Sequence, residues 1–102
     1  MTEADFLKSI IDLAHVYGWK VAHFRAGMRA NGQYRTPVQG DGAGFPDLVL
    51  VRKRVIFAEL KSEEGRLAGG QSVWLDDLID AGAEIYLWRP SDWEKIVEIL
   101  KR

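Results

Sequence analysis

The sequence predicts one α/β domain with elements in the order α-β-β-β-α-β-α, and three observations lead there. Apolar residues recur at helical spacing in three separate stretches, short β-rich runs lie between them, and the chain is 102 residues long with 47% hydrophobic and 28% charged residues. That length and balance suit a single hydrophobic core and are too small for two. No repeat or low-complexity tract interrupts the pattern.

Phe6, Ile10, Leu13, Ala14 and Tyr17 are three or four residues apart, the helical period, with Thr2 available as N-cap and Gly18 as the stop. Residues 19–24 alternate and read as a first strand. Residues 25–44 hold five glycines, a proline and no hydrophobic period, so they are expected to form a long loop without regular structure, of the kind that is functional or disordered. The runs 47–51 and 54–60 are β-rich and separated by Arg52-Lys53, the pattern of an antiparallel hairpin that should form the middle of a sheet. After a polar, glycine-rich stretch at 62–70, helical spacing returns at Val73, Trp74, Leu75, Leu78 and Ile79 and ends at Ala81-Gly82. Residues 84–88 make the next strand. Pro90-Ser91-Asp92-Trp93-Glu94 then reads as a capping box, Ser91 as N-cap and Glu94 three residues on, opening a helix through Ile96, Val97, Ile99 and Leu100.

Composition narrows the chemistry. There is no cysteine, so disulfides and thiolate metal sites are excluded and any metal must sit on oxygen or imidazole, which suits a reducing, cytoplasmic setting. The first residues carry acids and no long apolar run, so neither a signal peptide nor a membrane span is expected. A net charge of -1 argues against nucleic-acid binding through overall charge; local patches would have to steer such a substrate.

Two acids in the hairpin call for an explanation. Asp47 opens one strand, and Glu59 interrupts the apolar end of the next. Residues two apart on a strand share a face, so Glu59 and Lys61 point one way and Leu60 the other. If the hairpin sets Asp47 opposite Glu59, two carboxylates converge at its open end beside an ammonium. Together with the Leu60 carbonyl they make a hard-cation site suited to Mg²⁺ or Mn²⁺, which keeps waters and takes substrate phosphate. A metal there supplies an acidified water and neutralises charge developing on phosphate, while Lys61 orients or helps deprotonate the water. The bland alternative, a solvated cross-strand Glu59–Lys61 pair, is worth only about 0.2–1 kcal/mol.

Pro46-Asp47, followed by Glu59-Leu60-Lys61, resembles the motif of the PD-(D/E)XK nuclease superfamily, and Gly44-Phe45-Pro46-Asp47-Leu48 with Ala58-Glu59-Leu60-Lys61 and Gln71 resembles its VRR-NUC branch. The resemblance covers nearly the whole chain. It implies a mixed sheet flanked by helices with a restriction-endonuclease-like core, Asp47 and Glu59 as metal ligands, Lys61 as catalytic, and Gln71 at the head of the following helix as part of the site. It further implies a helix-one acid, for which Glu3 is the matching position and Asp5 a rival. Its activity is endonucleolytic hydrolysis of DNA, with structure-selective cleavage of junctions or flaps within the branch. A stand-alone domain like this one is similar to phage and bacterial members, so a homodimer is open.

Arg25, Arg29, Arg35, Arg52, Lys53, Arg54 and Arg66 gather positive charge in loops, and phosphate contacts are their natural use. Arg25, Arg29 and Arg35 in the long loop, with His23 at the end of the first strand, are the expected substrate contacts. Trp74, Trp88 and Trp93 are expected to pack in the core or an interface. Beside the nuclease stand a nucleic-acid-binding or assembly module of the same fold without turnover, and a hydrolase of another phosphate substrate. Asp47, Glu59 and Lys61 together favour an enzyme, because folding alone asks for no three charged residues at one place.

Overall fold

The computed structural model describes residues 1–24, 27–28, 34–35 and 39–102. Its centre is a four-stranded mixed sheet in the order β1-β4-β5-β6. Strands β1 (Lys20–His23), β4 (Leu48–Val51) and β5 (Val55–Leu60) pair antiparallel, and β6 (Glu84–Trp88) joins β5 in parallel. The hairpin β4–β5 therefore occupies the middle, as its apolar runs predict. Helix α1 (Glu3–Val16) precedes the sheet, α2 (Gly69–Asp80) links β5 to β6 as a parallel pair requires, and α3 (Trp93–Lys101) closes the chain. This is the predicted α/β class with its element order. No helix among the described residues is long and apolar enough to cross a membrane.

Local chemistry explains most boundaries. The Thr2 hydroxyl accepts the Asp5 N–H at 3.0 Å, and the Asp5 carboxylate accepts the Thr2 N–H at 3.2 Å, a reciprocal cap on α1. At the other end Gly18 takes φ +83, and Gly18 and Trp19 donate to the His15 and Ala14 carbonyls, each at 3.0 Å, which satisfies the last turn. Gly82 ends α2 in the same way.

The core lies on one face of the sheet. Phe6, Ile10 and Ala14 of α1 and Ile96 and Leu100 of α3 pack over Leu48, Leu50, Ile56, Ala58, Leu60 and Trp88, all buried. The opposite face is more thinly covered, since α2 contributes no buried residue and leaves Val73 and Ile79 59% and 61% exposed. There Phe45 packs edge-on against Phe24, Phe57 and Trp74.

Three expectations need correction. Within the stretch expected to be a structureless loop, β2 (Gly27–Met28) and β3 (Tyr34–Arg35) pair antiparallel; two-residue strands are too short for a periodic pattern to disclose. Helix α2 begins at Gly69, inside the stretch 62–70 expected to be polar and glycine-rich and two residues before Gln71, because its first turn, Gly-Gly-Gln-Ser, has no apolar residue to announce it. Ser91 and Glu94 form no capping box. A 3₁₀ turn at Pro90–Asp92 intervenes, Ser91 bonds Glu63, and the Asp92 carboxylate accepts the Arg89 N–H at 2.9 Å.

Candidate active site

The hairpin register decides what can meet. Leu48 pairs with Ala58, so one step outward Asp47 stands opposite Glu59 at the end of the sheet away from the 52–54 turn. The Asp47 carboxylate accepts the Leu60 N–H at 2.9 Å, and its carbonyl accepts the Phe24 N–H at 2.9 Å. Asp47 thereby extends the ladder toward β5 through its side chain while its backbone carbonyl extends it toward β1. The N–H and C=O of a strand residue point toward the same neighbour, so the Leu60 carbonyl is also directed toward the Asp47 side.

Glu59 is 1% exposed, a carboxyl buried where its neighbours Ala58 and Leu60 are core residues. Burial is the first reason its pKa is pushed up to about 9; a hydrogen bond with Asp47 and the charge of Asp47 add to the rise, as Glu3 does more weakly, and Lys61 acts against it. A solvated surface ion pair between Glu59 and Lys61 is therefore excluded, and no such pair forms among the described residues. Lys61 is half-buried at the exit of β5, its N–H donating to the Trp88 carbonyl at 3.0 Å.

Gln71 joins this pair from α2. Its amide oxygen accepts the N–H of Ala68 at 2.9 Å, completing the first turn of the helix, and its amide nitrogen donates to Glu59 at 3.1 Å. A glutamate there could cap the helix but would set a third carboxylate against Glu59. Gly44 makes the approach close: at φ +86, a Cβ would lie 2.3 Å from the Gly70 carbonyl carbon and 2.6 Å from the Gln71 nitrogen. Only glycine lets the chain entering β4 cross the start of α2 at this distance.

On the other side, Glu3, Ala4, Leu7, His23, Asp47 and Leu60 line a cleft of about 100 Å³. Glu3 and His23 thus open onto Asp47, while the rival Asp5 is engaged with Thr2, which holds its carboxyl below the usual range. Arg25, Arg29 and the side chain of Arg35 lie outside the described residues.

The structure removes Arg52, Lys53 and Arg54 from this neighbourhood. They form the β4–β5 turn at the opposite end of the sheet, a consequence of the same register that brings Asp47 to Glu59. Arg52 and Arg54 both lie 4.8 Å from the centre of the Trp19 ring, Arg52 bonds the Tyr17 carbonyl at 2.7 Å, and Arg54 bonds Glu84 at 2.9 Å and the Ile99 carbonyl at 2.8 Å. Their charge closes the ends of α1 and α3. Local sequence gave no warning, because a turn's cations look alike whichever end of a sheet they occupy. Arg89 is the residue the pattern reading passed over: its side chain gathers the carbonyls that follow Lys61.

Among the described residues no three His, Cys, Asp or Glu side chains converge on one point. The donor set is Asp47, Glu59 and the Leu60 carbonyl. Two carboxylates and a carbonyl fit a hard cation that keeps part of its water shell, and two acids crowded enough to hold a proton to about pH 9 are a site that a cation would relieve.

Comparison with known protein families agrees with this geometry. The model of the VRR-NUC domain matches residues 24–92, more than half of the chain, spanning Asp47, Glu59, Lys61 and Gln71 but not Glu3 or His23. A nuclease-family domain is the class this defines. The chain belongs to the VRR-NUC domain family. Neither a curated protein nor a solved structure matches it.

Proposed function

We propose that this domain is a Mg²⁺- or Mn²⁺-dependent endodeoxyribonuclease. The observation that carries the reading is Glu59, a carboxyl buried beside a second acid and held there by an amide, an arrangement that costs stability and that folding does not require. Asp47, Glu59 and the Leu60 carbonyl would hold the cation, which supplies an acidified water and charge neutralisation at the phosphate.

The remaining work falls to the chain. Gln71 keeps Glu59 aimed by donating to one of its oxygens. Asp47 is fixed through Leu60, so the carboxylates cannot drift apart. Lys61, two residues from Glu59 on the same face, serves the attacking water by orienting it or accepting its proton, and its positive charge faces the developing negative charge on phosphorus. Across the cleft, Glu3 would accept from water and His23 would donate to phosphate oxygen, a reading supported by their both lining the cleft with Asp47. DNA is the substrate that the nuclease class suggests, with Arg25, Arg29 and Arg35 as backbone contacts and branched or flapped structures as the favoured shapes.

The test is cleavage of labelled linear, flap and four-way-junction DNA in Mg²⁺, Mn²⁺ and EDTA, by the native protein, Glu59→Ala and Lys61→Ala. Incision that requires metal and disappears in both variants is expected. Folded protein that binds DNA yet cuts none of these substrates would move the reading to a binding module.

A further inference from the structure

The chain leaving Lys61 turns back on itself. Gly65 donates its N–H to the Ser62 carbonyl at 3.2 Å, and the carbonyls of Ser62, Glu63 and Gly65 converge on a single nitrogen, Nη1 of Arg89, at 2.5, 3.2 and 2.7 Å. A second tie runs alongside, with the Glu63 carboxylate accepting the N–H and hydroxyl of Ser91 at 2.5 and 3.0 Å.

The sheet explains why Arg89 is available. Leu60 pairs with Trp88 in the parallel β5–β6 ladder, so the next pair outward is Lys61 with Arg89, on the face that carries Glu59. Two cations side by side would repel. Arg89 is turned instead to three carbonyl dipoles, and among the described residues its side chain makes no ion pair. The turn it closes lies under Lys61, since a Cβ on Gly65 would stand 3.5 Å from Cδ of Lys61 and 3.0 Å from the Ser62 hydroxyl. The Lys61 stem thus rests on a turn that one guanidinium nitrogen holds shut.

We infer that Arg89 is a positioning residue, which sets the place of the Lys61 ammonium by closing the Ser62–Gly65 turn beneath it. The inference rests on the proposed role of Lys61 at the attacking water. All three carbonyls reach one nitrogen and share its two N–H donors, so the function needs a point cation more than it needs the guanidinium fork. Length and volume without charge do not suffice.

The experiment compares the native protein with Arg89→Met, Arg89→Lys and Gly65→Ala, following DNA cleavage, thermal melting and the side-chain ¹⁵N signal of Lys61. Arg89→Met is expected to lower kcat about 10- to 100-fold with KM little changed, the scale of a misplacement of about 1 Å. Arg89→Lys is expected to recover much of that loss, and Gly65→Ala, which leaves Arg89 in place, is expected to lower kcat and move the Lys61 signal by pressing on the Ser62 hydroxyl and so shifting the turn under the Lys61 stem. Equal behaviour of Arg89→Met and Arg89→Lys, or a Lys61 signal unmoved in Arg89→Met and Gly65→Ala, would overturn the inference. If the native protein cuts no DNA while Arg89→Met, but not Arg89→Lys, moves the Lys61 signal, positioning stands and the nuclease reading falls.

Discussion

Glu59 keeps its proton to about pH 9 in the folded chain, whereas in the unfolded chain it releases it near 4.5. Between those values the unfolded state binds fewer protons, so the Glu59 contribution to metal-free stability is whole below about pH 4.5 and is lost as pH rises toward 9. Melts in EDTA from pH 5 to 9 should show that decline in the native protein and a flatter profile in Glu59→Gln; parallel profiles would sink the assignment. The same proton must leave when a cation binds, so binding at neutral pH releases protons to the buffer. From sequence, Asp47, Glu59 and Lys61 were legible because acids within apolar strands are conspicuous. Arg89 was not, since its importance depends on a parallel register that no local pattern encodes.

Among the elements, the start of α2 is the one most exposed to a small change. Gly44 meets Gly70 and Gln71 backbone to backbone, with no side chain that could yield. Gly44→Ala combines an unfavourable positive φ with a clash against main chain and should cost about 2–4 kcal/mol, read as a lowered midpoint in urea. Cleavage should fall further than stability explains, because the displaced helix withdraws Gln71 from Glu59. Helix α1 was readable from its caps and apolar period. Gln71 was placed at the head of α2 by resemblance alone, and Gly69 and Gly70 before it were not readable, because this first turn lies close to Gly44 and has no apolar residue.

Across the whole molecule, the sheet separates two tasks by its two ends. One end carries Asp47, Glu59, Lys61 and the start of α2; the other sets Arg52 and Arg54 against the Trp19 ring, with carbonyls at the ends of α1 and α3 bound to the same arginines. Arg54→Met should therefore lower stability by about 1–3 kcal/mol through its lost charged hydrogen bonds, and leave the kcat and salt dependence of DNA cleavage unchanged. A flatter salt dependence would restore Arg54 to the substrate surface. The order of elements and the central hairpin followed from period and turn chemistry, but that Arg52, Lys53 and Arg54 lie at the end away from the candidate site followed only from register.

Trp74 donates its indole N–H to the Asp41 carbonyl at 2.9 Å and lies edge-on to Phe45, one residue from the Gly44 crossing and two from Asp47. Trp74 and Trp93 are half-buried, while Trp19 and Trp88 are buried, and a Trp93→Phe background isolates the Trp74 signal. The protein therefore carries a built-in optical gauge: indole emission senses polarity, and any shift of residues 41–47 as the site fills would be written into the Trp74 component of its fluorescence, with no dye attached.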